Sequence, residues 1–231
     1  MNRWGAPFLA HNPKPQSEVC SADCALAYAA VTLCGRYLLE VQVVENEASK
    51  TSPADSGRQV MAVTQRWVKR FVVDLGLCPF AQHVTPYIAV SWAVSEQTLL
   101  AALGQELEAL IADDRRETTL LVHPKLLNDF LDYNNFLSSC DELLVAAGLE
   151  GVIQVASFHP DYQFAGTVTD APENFANRSP YPMLHLLRED DVTRAVDEHP
   201  NVEQIVSRNA EVLEGLGASE LHTRRLGCFS A

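Results

Sequence analysis

From Val60 to Leu75 the apolar residues Val60, Val63, Trp67, Phe71 and Leu75 recur at helical spacing, and Gly76 supplies a natural stop. Leu77-Cys78-Pro79-Phe80-Ala81 reads as a short apolar loop. Tyr87 to Val94 is rich in β-branched and aromatic residues and predicts a strand. Ser95 then caps a helix to about Ala112, with Leu99, Leu103, Leu107 and Leu110 on one face. Thr118 to Val122 predicts a short buried strand ending in His123-Pro124. Leu126 to Ala147 reads as a helix closed by Gly148, with Asn134-Asn135 a candidate break.

A third strand, Val152 to Phe158, ends in His159-Pro160. A long polar loop, Asp161 to Pro182, leads to Met183–Arg188. A strand is favoured there because Asp190 or Asp191 makes a better helix cap than anything earlier; a helix from Pro182 is the alternative. Short helices follow, the last with Val202, Ile205, Val206, Leu213 and Leu216 along one stripe. This order predicts an α/β fold, with α+β the alternative. The expected sheet is small, mixed and mainly parallel, with four strands flanked by helices. The fourth strand follows too directly for a helical crossover and is expected to be antiparallel.

Residues 1–57 look like a separate extension. Pro13, Pro15 and Pro53 mark loops, and Glu45 to Gln59 has linker composition. Met61 stands where strong periodicity begins, which makes it a candidate natural start. Residues 58–217 are expected to form one domain and residues 218–231 a tail. The apolar run from Cys24 to Leu39 is interrupted or flanked by Asp23, Arg36 and Glu40. It is short of the roughly 20 consecutive apolar residues that span a bilayer, and acidic residues precede it where a signal peptide wants basic ones.

Charge narrows the partners. The net charge is −13, and residues 58–217 carry most of it, with 11 Lys/Arg against 23 Asp/Glu. An acidic domain repels phosphate backbones, so neither nucleic acid nor membrane is an expected partner. A local basic pocket for one small anion remains compatible. Six cysteines, Cys20, Cys24, Cys34, Cys78, Cys140 and Cys228, contain no CxxC pair and read as reduced thiols of a cytoplasmic protein.

Two predicted strands end in the same His-Pro dipeptide, and a residue before proline is held extended. If those strands are parallel neighbours, His123 and His159 share the carboxyl edge of the sheet, where open α/β sheets place ligands. The alternative is that both simply bond backbone at strand ends. The loop after His159 gathers Asp161, Tyr162, Gln163, Gly166, Arg178, Ser179 and Tyr181 within about 23 residues, a length often functional. Arg178 can clamp a carboxylate or phosphate. On a strand, His185 and Arg188 face opposite ways. Cys78, His159 and His185 are candidate metal ligands, yet no local spacing such as HExxH supports a metal site, and the residues point to no particular cofactor.

Five stretches carry a resemblance: Leu75–Ala81, Thr118–Pro124, Asp129–Asn134, Val155–Thr167 and Asn177–Glu189. Together they resemble the bacterial domain-of-unknown-function family numbered 1415, over about residues 60–217. The resemblance implies a bacterial-type soluble protein and brings no activity with it. The residues themselves favour a small-molecule enzyme acting on an anionic substrate. His159 would be general acid/base with Asp161 as partner, and Arg178, with Arg188, would hold the anion. Tyr162, Ser179, His185 and His123 would complete the pocket, and Cys78 is an outside candidate nucleophile. A Cys/His metal-binding protein and a non-catalytic ligand-binding or regulatory module are the rival readings.

Overall fold

The computed structural model describes residues 53–198, 201 and 204–230. Helix α1 spans Pro53–Trp67 and runs on into a π-helical stretch, Val68–Val73. Gly76 closes it with φ 64°, a left-handed conformation that favours glycine. A 3-10 turn, Pro79–Gln82, precedes strand β1, Tyr87–Val90. The strand is shorter than the pattern predicts because Ser91 makes the last ladder bond, to Val122 O, and its hydroxyl then turns the chain by accepting from Ala93 N–H.

Helix α2, Glu96–Ala112, opens with a reciprocal box between Ser95 and Thr98 and buries the four predicted leucines. Strand β2 is Thr118–Val122, and α3 is Phe130–Ala146. The sequence reading started α3 at Leu126. The cap lies further on, at Asp129, whose carboxylate accepts from the N–H groups of Leu131 and Asp132. Asn134-Asn135 does not break the helix. Strands β3, Ile153–Phe158, and β4, Met183–Arg188, follow, with a 3-10 turn at Pro172–Ala176 in the loop between them. Helix α4, Glu189–Glu198, begins directly after β4, and α5, Gln204–Leu226, bends at Gly217, where φ is 73°.

The sheet order is β1-β2-β4-β3. β1 and β2 pair in parallel, whereas β4 is antiparallel to both β2 and β3. The class is therefore α/β or α+β as expected, and the expectation of a mainly parallel sheet is corrected: the sheet is mixed. A loop, not a helical crossover, leads into β4, so that strand inserts between two strands running the other way.

β2 is buried along its whole length because helices cover both sheet faces. Its Leu120 and Val122 pack with Trp67, Phe71, Phe158, Met183 and Leu213 beneath α1 and α5. Leu121 faces the opposite layer, with Leu103, Phe136, Ile153 and Leu184 under α2 and α3. Residues 218–226, read from sequence as tail, continue α5, and with the turn after it they place Leu221 and Cys228 in the first layer, both fully buried. Among the described residues no helix is long and apolar enough to cross a membrane. The Cys24–Leu39 run and residues 1–52 lie outside the described residues, whereas residues 53–57, read from sequence as part of the extension, belong to helix α1.

Candidate functional site

β2 and β3 run the same way with β4 between them, so His123 and His159 leave the sheet at one edge. The expectation of adjacent strands does not hold, yet the shared edge does. The returning loop laces this edge shut. His123 N–H donates to Pro182 O at 3.0 Å, His159 N–H to Asn177 O at 3.2 Å, and Ser179 N–H to His159 O at 3.3 Å. Tyr133, from the first turns of α3, lies against both imidazoles, with ring centroids 5.9 Å from His123 and 5.1 Å from His159.

The two histidines differ in what their ring nitrogens do. His159 Nδ1 accepts from Asp161 N–H at 3.0 Å, so Nε2 carries the proton and donates to Leu127 O at 3.1 Å. Burial holds the ring below its ordinary pKa, partly offset by the Leu127 bond and by the carboxylates of Asp161 and Asp129. Leu127 is the one non-glycine among the described residues with positive φ, 57°. Its strain, about 1 kcal/mol, turns its carbonyl toward His159. His123 donates from Nδ1 to Leu126 O at 3.0 Å, while its buried Nε2 has no partner. Burial pushes His123 down to about 4, so the ring is neutral at pH 7.

The loop residues mostly serve the loop. Tyr162 is buried against Phe130 and Phe164, and burial raises its phenol above the usual range, partly offset by hydrogen bonds with Ser157 and Asn177. Arg178, 6% exposed, donates from Nε to Tyr162 O at 3.0 Å and from Nη2 to Thr169 O at 2.7 Å. Its guanidinium lies 4.7 Å from the Phe175 ring centroid. Burial lowers its pKa, partly offset by Asp161 and Asp170. Ser179 is fully buried and donates to Tyr181 O. Asp161 is exposed at the surface.

The remaining predicted residues lie elsewhere. His185 sits mid-strand on the α1 side, 2.7 Å from Thr118 Oγ1 and held at about 4 by burial. Arg188 lies at the opposite end of β4 and ties down the carbonyls of Leu110 and Arg116 at 2.6 and 2.5 Å. Cys78 is half-buried beside the first core layer, and burial raises its thiol. Among the described residues no three His, Cys, Asp or Glu side chains gather as a metal-holding group.

One important residue was hidden by the tail reading. Arg225 is 9% exposed and donates from Nη1 to Pro160 O at 2.9 Å and Ser179 O at 3.2 Å, while its buried Nε has no partner. It lies within electrostatic range of Arg178 and Asp161. Its signal was the spacing Leu221, Arg225, Cys228, which places it on the buried face of α5. Arg66 donates to Cys228 O at 2.7 Å nearby, and a cavity of about 310 Å³ lined by Arg70, Asp74, Arg224 and Gly227 opens at the same helix end.

The fold and this edge define a three-layer domain in which the loop after β3 and the end of α5 enclose buried arginines. The chain belongs to the family described as protein of unknown function (DUF1415), whose profile matches residues 59–223. No curated protein and no solved structure matches it.

Proposed function

We propose that the protein binds a small anionic molecule where the loop after β3 meets α1 and the end of α5, with Arg225 and Arg178 supplying the charge. The observation that carries this reading is the unpartnered Nε of Arg225, buried beside a second buried guanidinium. Neither arginine forms an ion pair with a carboxylate among the described residues. Asp161 acts on both arginines only at a distance, and an anion in direct contact would offset more of the desolvation cost with charge-assisted hydrogen bonds.

A catalytic form of the reading requires a ring nitrogen free to exchange a proton. The unpartnered Nε2 of His123 fits that requirement, acting as a neutral acceptor. His159, the expected general acid/base, has both nitrogens engaged by backbone groups.

Phosphate, sulfate and malonate, titrated at constant ionic strength against chloride, are expected to raise the melting temperature of the wild-type chain. Calorimetric affinity for the best of them should fall about tenfold or more in Arg225→Met and in Arg178→Lys. Binding unchanged in both folded variants, or no response to any anion, would overturn the proposal.

A further inference from the structure

We propose a second binding site, for a small zwitterion of the α-amino-acid type, in the groove at the opposite end of α5 from Arg225. The groove has a volume of about 620 Å³, within the range of small-ligand sites. Arg208 and Glu211, one turn apart on α5, both line it, as do Gln82 and Gln204. Two exposed charges of opposite sign at i and i+3 can pair on a helix surface. Here Arg208 turns away instead and donates from Nη1 to Gly76 O at 2.7 Å, and Glu211 pairs with no cation among the described residues.

Gly76 makes that position of Arg208 possible. A Cβ on residue 76 would stand 2.8 Å from Arg208 Nη2, so the missing side chain lets the guanidinium lie against the backbone. The neighbouring Asn209 is buried and anchors the groove wall through Nδ2–H to Leu77 O at 2.7 Å. Arg208 is thereby held by the wall of the groove rather than by Glu211. A ligand carboxylate suits the guanidinium, a ligand ammonium suits Glu211, and the two glutamine amides offer donors and acceptors to the groups between. A singly charged molecule would leave one of the two side chains without its complement.

Isothermal titration of the full chain with the standard α-amino acids, using acetate and methylammonium as single-charge probes, tests this. At least one amino acid is expected to bind, and both single-charge probes at least tenfold more weakly. Arg208→Gln and Glu211→Gln, surface changes compatible with the fold, should each weaken the amino acid about tenfold or more. Both should leave the anion response at Arg225 unchanged, which separates this site from the one proposed above. No amino acid binding, acetate binding as well as the best amino acid, or wild-type affinity in either variant would overturn the proposal.

Discussion

Acidification from pH 6.5 to pH 4 is expected to remove on the order of 6 kcal/mol of folding stability through two histidines alone. His123 and His185 titrate near 6.5 in the unfolded chain and near 4 in the folded one, because burial penalises their charged forms. Between those values the unfolded chain binds more protons than the folded chain. Stability therefore stays complete above pH 6.5 and falls as the pH drops toward 4. His159, also lowered by burial, adds to the same loss. Whole domains are stable by only about 5–15 kcal/mol, so this is enough to bring the protein close to unfolding.

The check is the urea midpoint measured in steps from pH 7.5 to pH 4.5. The upper part of that range lies above ordinary carboxylate titration, which isolates the histidines. His123→Gln and His185→Gln should each flatten the slope by about 1.4 kcal/mol per pH unit, the contribution of one proton. A flat midpoint in the wild type, or an unchanged slope in the double variant, would contradict the assignment.

Replacing Tyr133 is expected to be the most damaging single substitution at the site. Its hydroxyl donates to Met183 O at 2.8 Å and accepts from Phe158 N–H at 3.0 Å, bridging the terminal β3–β4 pair. Tyr133→Phe keeps the ring and removes both hydrogen bonds, at a cost of about 1–3 kcal/mol. Tyr133→Ala also opens a cavity between two imidazoles and should cost about 3–5 kcal/mol or more. Thermal melts should therefore rank wild type above Tyr133→Phe above Tyr133→Ala. A phenylalanine variant as stable as wild type would show that the bridging hydroxyl contributes nothing net.

The Tyr133 prediction rests on a property of the carboxyl edge: its polar side chains are largely committed to backbone. Arg178 holds two carbonyls of its own loop, and Arg225 holds one carbonyl at each end of that loop. Asn174 binds the carbonyls of Val168 and Thr169 and accepts from Phe164 N–H. A long loop packed against a core must satisfy its backbone internally, and these residues do so. The richly polar stretch after His159 is thus first a folding device. In the proposed reading, the Nε of Arg225 is the guanidinium nitrogen left over for an anion.

Much of this was legible along the chain. Apolar spacing placed the helices over Val60–Leu75 and Ser95–Ala112, and the β-branched runs placed the strands, because burial of one face imposes a period that tertiary context only trims. The two His-Pro dipeptides marked strand ends, since proline holds the preceding residue extended and cannot continue the ladder. Sequence could not show that β4 slips between β2 and β3, because pairing partners are chosen by long-range packing. Nor could it show whether a histidine's nitrogens meet solvent or carbonyls. That depended on Leu127, in a strained loop 32 residues before His159. Arg225 was missed for the same reason: one of two adjacent arginines, Arg224 and Arg225, looks solvated until α5 is seen to continue past Gly217. The local pattern of burial determined the elements and the edge on which the histidines stand. Only the packing of distant segments decided which of their polar atoms were already satisfied and which were left without a partner.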